Sequence, residues 1–266
     1  MVVAKKEFGQ NFLKDNHILS KIIQSMPKNE QQIVEIGPGL GDLTCKLLES
    51  KRDVIAYEID KRMEPILKDR FKNEIDKKQF ELFITDVLNV WKDKSLHDDK
   101  YDLVANLPYN MATNLILRAL NDKNCSNILV MIQKEVAEKF NAKEKTKEFS
   151  SLAIIAQSLC DIEVVCNVPP TSFDPIPKVD SSVILFKKKE ILDKSFEDIY
   201  MKQMPSFEKF LKIAFSQPRK KLIKNLISAY KKESILETFK KLNLDQNIRA
   251  HEISTSNFHL IYKNIG

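Results

Sequence analysis

Four short stretches put reactive or ligand-binding side chains at the ends of apolar runs. "NLPYN" (106–110) places an amide, a proline and an aromatic ring directly after "YDLVA". "EIGPGLGDLT" (35–44) places Gly37, Gly39 and Gly41 behind another apolar run. Glu58 closes "DVIAYE", 17 residues after Gly41, and Asp86 follows "FELFIT". Glycines let a backbone turn sharply and come close to a ligand. The spacing is G-x-G-x-G rather than the dinucleotide fingerprint G-x-G-x-x-G. Pro38 also removes an N–H that an anion could use. Both features disfavour a pyrophosphate and suit a ligand without phosphates, such as S-adenosylmethionine, whose cationic charge Glu35 can face. A carboxylate at Glu58 can accept from ribose hydroxyls, and one at Asp86 from an adenine amino group. Each acid alone also reads as a helix cap or a surface group. Together with the glycine loop they mark one crevice at successive strand ends.

The fourth strand end supplies what methyl transfer to an exocyclic amine needs. The N6 lone pair of adenine is delocalised into the ring, so the site must accept hydrogen bonds from N6–H and favour pyramidalisation. Asn106 offers a side-chain carbonyl, and Leu107 and Pro108 offer backbone carbonyls. Pro108 brings no competing N–H. Tyr109 can stack on an extruded base. No strong base is required, because the amine becomes acidic once alkylated. Positioning and electrostatics carry the reaction.

These residues require a sheet to hold them. Apolar runs at 32–39, 53–60, 80–88, 101–109 and from 127 onward alternate with helical patterns, among them "RMEPILKDRFKNEI" (62–75), "MATNLILRAL" and "SLAIIAQSL" (151–159), predicting an α/β domain with a mostly parallel sheet. "DIEVVCNVP" and "SSVILFKKK" read as two late strands, one of them antiparallel. After residue 190 the patterns are helical: "FEKFLKIAFSQPRKKLIKNLISAY", "SILETFKKL" and "FHLIYKNI". The expected organisation is a sheet domain over 1–190 and a small helical domain over 191–266. Asn110 is expected to cap the helix after the motif.

Charge divides the chain in the same way. Residues 187–266 hold 17 Lys and Arg against 9 Asp and Glu, while residues 1–186 hold 26 against 28. The excess reads as a contact for an anionic partner or as a lysine-rich solvated surface. No apolar run reaches 18 residues, so no membrane span is expected. Four scattered cysteines form no C-x-x-C pair, so neither a metal site nor a disulfide framework is expected, and the compartment is a reducing cytoplasm. The four histidines and Trp91 read as structural or surface residues.

"GQNFL" (9–13), "EIGPGLGDLT", "NLPYN", "VPPTSFDPIPKVDSSV" (168–183) and "FSQPRKK" (215–221) occur in an order that resembles the family of ribosomal RNA adenine N6,N6-dimethyltransferases. The resemblance spans essentially the whole chain. It implies a Rossmann-like, S-adenosylmethionine-dependent methyltransferase sheet with a small all-α C-terminal domain that binds RNA. It implies two adjacent adenosines in the 3′-terminal hairpin of 16S rRNA as substrate, in the small ribosomal subunit or its precursor, and a role in subunit biogenesis by a monomer. By motif, Asn11 and Leu13 border the cofactor, Gly37 touches its amino-acid end, Glu58 its ribose and Asp86 its adenine, and Gly39 also binds it. Asn106 lies between cofactor and target amine. Tyr109 stacks on the base, and Phe173 faces it from the other side. Arg219, Lys220 and Lys221 contact RNA, and Lys5 and Lys6, on an N-terminal lid, touch phosphate. Pro218 stands where the family usually has another arginine, and Phe149-Ser150 where it has Tyr-Gly.

Two other readings share parts of this pattern. A 23S rRNA adenine methyltransferase conferring antibiotic resistance has a similar motif, more often with Ile in the place of Leu107. A non-catalytic ribosome assembly factor would predict a decayed cofactor site, which Gly37, Gly39, Gly41, Glu58, Asp86 and Asn106 argue against.

Overall fold

The structure, a computed structural model, describes residues 9–92 and 94–265. Lys5 and Lys6 lie outside the described residues. The chain falls into two compact units, Met1–Ala137 with Ile162–Lys188, and Glu138–Asp161 with Lys189–Gly266. Residues 138–161 therefore group with the helical unit, a division that differs from a single boundary at 190.

The first unit contains β1 (Phe12–Leu13), α1 (Asn16–Ser25), β2 (Gln32–Ile36), α2 (Asp42–Glu49), β3 (Val54–Glu58), α3 (Glu64–Arg70), α4 (Lys72–Asp76), β4 (Phe80–Ile84), α5 (Val87–Val90), β5 (Tyr101–Asn106), α6 (Ala112–Asn121) and β6 (Cys125–Gln133). α7 (Lys134–Asn141) and α8 (Ser151–Leu159) precede β7 (Cys160–Val168), β8 (Phe173–Asp174) and β9 (Ser181–Lys188). Seven strands form one sheet in the order β4-β3-β2-β5-β6-β9-β7. The first five run parallel, and β9 pairs antiparallel with β6.

Burial explains the patterns along these strands. β3 is buried at every position and β5 at all but its last, as continuous apolar strands inside a sheet should be. β4, at the edge, alternates instead and leaves Phe83 partly exposed over Tyr57. The chain builds outward from β2 through β3 to β4, then returns to add β5 and β6 on the other side. The strand order reverses at β2 and β5, which opens a crevice at their carboxyl ends.

The second unit adds α9 (Lys194–Lys202), α10 (Met204–Ala214), α11 (Leu222–Leu226), α12 (Lys232–Lys241) and α13 (Thr255–Ile265) to α8. α9 was not legible as a separate helix. The long pattern around "SQPRKK" is broken, because Gln217–Lys220 forms a turn closed by Lys220 N–H to the Gln217 carbonyl at 3.0 Å. Pro218 takes the second position, which its fixed φ suits. Aromatic rings fill this core: Phe207 lies 5.8 Å from Phe196 and 5.3 Å from Tyr262, centroid to centroid. His259 is buried among them, 2.7 Å from Ser158 Oγ, and burial pushes its pKa down to about 4. It is a neutral packing group.

Candidate active site

The carboxyl ends of β2, β3, β4 and β5 surround a cavity of about 320 Å³, a size in the small-ligand range. Its walls bring together Asn11, Leu13, Gly37, Gly39, Glu58, Asp86, Asn106, Leu107, Pro108 and Tyr109 from the sequence-predicted set. Among the described residues, every charged side chain lining it is acidic: Glu35, Asp42, Glu58 and Asp86. Lys14 and Arg70 pair Asp42, so Glu35, Glu58 and Asp86 are left to disfavour pyrophosphate and to accept a ligand carrying positive charge.

The three glycines of the loop do different work. A Cβ on Gly41 would come 2.6 Å from the Phe71 ring, so that position serves helix packing. A Cβ on Gly39 would meet the Phe12 ring at 2.9 Å. Around Gly37, with φ +71, the space within 4 Å of where a Cβ would stand is open, so bare backbone faces the cavity.

Glu58 is 3% exposed and accepts two backbone N–H bonds, from Gly39 at 3.0 Å and Asp60 at 2.8 Å. Desolvation nonetheless pushes its carboxyl pKa up. A carboxylate has about four acceptor sites, so capacity remains for ribose hydroxyls. Glu35 is deeper, at 1% exposed, and accepts from Thr44 Oγ1 at 2.7 Å. Desolvation, countered by that bond and reinforced by Glu58, raises it to about 8. Asp86 follows β4 and caps α5, taking Leu88 N–H on Oδ1 at 2.9 Å. The cap reading and the wall reading both hold for this residue.

The N-terminal segment lies across these strand ends and reaches the motif at 106–110. Asn106 Nδ2 donates to the Asn11 carbonyl at 2.9 Å, which orients the amide and fixes Oδ1 as the other face. Gln10 bonds Asp60 at 2.9 Å, and Lys14 pairs with Asp42 at 2.5 Å. β1 pairs antiparallel with β8, Leu13 opposite Phe173. Arg62 bound to Asp60 holds that carboxyl pKa down at about 2.

Three expectations change. Pro108's carbonyl accepts from Met111 and Ala112 N–H at 3.0 Å each, so it belongs to the turn that starts α6, and Leu107's carbonyl is the backbone acceptor left in the motif. Asn110 does not cap α6: the capping position is Met111, without a side-chain bond, and Asn110 lies against Gly9. Phe173 is 3% exposed within the apolar core beside Leu13, not on the cavity wall, because it occupies the inward position of β8. Arg219, Lys220 and Lys221 belong to the helical unit and are all exposed, in or just after the turn containing Pro218. Arg249, which no sequence motif singles out, joins them through an antiparallel bridge to Lys221. Tyr109 has a partner that no local pattern announces: its hydroxyl lies 2.7 Å from Ser181 Oγ. Burial raises the Tyr109 pKa.

The sequence matches the family described as ribosomal RNA adenine dimethylase over residues 1–266. It is 52% identical to the ribosomal RNA small subunit methyltransferase A of Sulfurimonas denitrificans, covering 98% of this chain and 94% of that one. It is 52% identical to the protein of the same name from Aliarcobacter butzleri, covering 99% and 97%. Among solved structures it is similar to a dimethyladenosine transferase from Plasmodium falciparum, with a TM-score of 0.77 and 27% identity over 94% of this chain and 95% of that one. The 23S rRNA methyltransferase ErmE, at a TM-score of 0.70 and 19% identity over 96% and 99%, shares the fold. Motifs, strand-end site and relatives agree, and the chain belongs to the ribosomal RNA adenine dimethylase family.

Proposed function

We propose that this methyltransferase acts on two adjacent adenosines in the 3′-terminal hairpin of 16S rRNA, converting each to N6,N6-dimethyladenosine with S-adenosylmethionine as donor. The observation that carries the proposal is the Asn106 amide at the cavity edge, oriented by the Asn11 carbonyl, above a wall whose charges, among the described residues, are all negative. That wall fits a sulfonium ligand. Gly37 would approach its amino-acid end, Glu58 its ribose and Asp86 its adenine amino group, with Asn11 and Leu13 along its flank. The bound cofactor supplies an electrophilic methyl group. Asn106 Oδ1 and the Leu107 carbonyl accept from the target N6–H and hold the amine in line. Tyr109 stacks on the extruded base. These groups supply positioning and electrostatic stabilisation, the main terms for a reaction that needs no strong base.

Arg219, Lys220 and Lys221 would bind RNA phosphates, with affinity that falls as salt rises. The chain would work as a monomer in the cytoplasm, on the small subunit or its precursor, during subunit biogenesis. The relatives' names favour the small subunit over 23S rRNA, and the intact site residues favour an enzyme over an assembly factor alone.

Labelled S-adenosylmethionine with unmethylated small subunits tests the proposal. Label should enter 16S rRNA, and reverse transcriptase should stop at two adjacent adenosines, because dimethyladenine cannot pair. Label in 23S rRNA, or none in either, would overturn it.

A further inference from the structure

The aromatic ring of the motif is tethered from outside the cavity. Tyr109 Oη and Ser181 Oγ are 2.7 Å apart, across 72 residues of sequence. Ser181 is fully buried and is not among the lining residues. It opens β9, where it pairs with Gln133 at the end of β6. The preceding carbonyl, of Asp180, accepts from Lys134 N–H at 3.0 Å, and the next side chain, Ser182, bonds Asn167 at 2.9 Å. The serine therefore sits on a fixed backbone. Tyr109 lies on the turn between β5 and α6, outside any strand or helix, and is half-buried.

We propose that Ser181 is a positioning residue for methyl transfer, whose hydroxyl fixes where the Tyr109 ring stands as the surface against which the extruded adenine stacks. The inference rests on the proposed stacking role of Tyr109. A ring on a turn swings about its Cα–Cβ torsion and with the turn itself, whereas stacking with the amine aimed at Asn106 requires the ring in one place. A bond at Oη, which lies on the Cβ–Cγ axis, anchors the far end of the ring against that swing without touching either substrate. A neutral hydrogen bond of this kind changes a population about fivefold. Phosphate contacts dominate RNA affinity. A looser ring would therefore lower the fraction of bound complexes with the base in place, reducing kcat while leaving RNA binding intact.

The test compares Ser181→Ala, Tyr109→Phe, their combination and Tyr109→Ala, with kcat, small-subunit Kd and S-adenosylmethionine Kd measured for each. Each of the first two should lower kcat about fivefold with both Kd values unchanged. The combination should be no worse than either, because both remove the same bond. Wild-type kcat in Tyr109→Phe, or a combined loss of about 25-fold, overturns the proposal. Tyr109→Phe leaves the buried serine in place, so it reads the bond even if Ser181→Ala folds poorly. Tyr109→Ala should lose far more than fivefold. Full activity there would overturn the stacking role itself, whereas a large loss there beside an unaffected Tyr109→Phe would overturn only the tether.

Discussion

Buried carboxylates stand at both ends of the parallel strands, and the two ends treat them differently. At the amino ends, Asp102 takes Arg52 Nη2 at 2.6 Å and Asn127 Nδ2 at 2.7 Å. Asp122 accepts from Trp91, Tyr101, Ser95 and the Leu96 and Asn124 N–H groups. Trp91 is thereby a packing residue, 3% exposed. One nitrogen, Arg52 Nη1, lacks a partner among the described residues. At the carboxyl ends, Glu35 has a hydroxyl and Glu58 two amides, no cation among the described residues lines the wall, and both pKa values are raised. Negative charge that the protein leaves without a cation is negative charge a cationic ligand can complete. At the carboxyl ends Asp60, held by Arg62, and Asp42, held by Lys14 and Arg70, are scaffold as well, and it is Glu35 and Glu58 that mark the site.

Breaking the scaffold end should produce the largest effect, and it should appear in stability. Asp102→Ala leaves the Arg52 guanidinium, 9% exposed, buried without its carboxylate. Loss of one partner of a buried pair costs roughly 3–5 kcal/mol. Denaturant unfolding should show that loss, while kcat of the folded fraction stays at the wild-type value. A stable variant with impaired turnover would contradict the division between the two ends.

Breaking the site end should do the reverse. Asn106→Ala removes the oriented amide, and kcat should fall about a hundredfold to a thousandfold, the cost of deleting one preorganised polar group, with little change in the unfolding midpoint. Full methyl incorporation by this variant would remove Asn106 from the reaction. Glu58→Gln is milder: it keeps the shape but loses charge and one acceptor oxygen. Its S-adenosylmethionine Kd should rise about tenfold, the worth of a charge-assisted hydrogen bond, with RNA affinity unchanged. Equilibrium dialysis of the cofactor and filter binding of small subunits separate those outcomes.

How much of this was legible in sequence follows the range of the interactions. The strand ends were legible, because an apolar run that stops at a glycine, Glu58 or Asn106 is a local event. Helix α8 was legible to the residue, since nothing interrupts "SLAIIAQSL". The single helix read over 62–75 breaks at Phe71, whose ring packs against Gly41. The strand read over 80–88 stops at Ile84, because Asp86 starts a helix. The tether of Tyr109 by Ser181 and the hold of Asn11 on Asn106 join residues 72 and 95 positions apart. No periodicity encodes such pairs. Phe173 was misplaced for the same reason, as its neighbour Leu13 comes from the other end of the sheet domain's sequence.

The smallest effect on cofactor affinity should come from Glu35, and it is a proton. Its folded pKa of about 8 lies above the ordinary glutamate value of 4.5, chiefly because burial disfavours the charged form. Ionising it therefore costs the free protein stability, progressively as pH rises from about 4.5 to about 8, and no further beyond that. A cationic ligand favours the ionised form, so its binding releases a proton below pH 8. Affinity for S-adenosylmethionine should accordingly rise with pH toward 8 by less than about tenfold per unit, then level off. Calorimetric titrations near pH 7, in two buffers of different ionisation enthalpy, read the released proton directly. In Glu35→Gln the Thr44 bond can survive while the titration cannot. Its free-state stability should exceed wild type at pH 8, and any proton release that remains belongs to Glu58. Equal proton release in wild type and Glu35→Gln would place the surplus charge of the site elsewhere than Glu35.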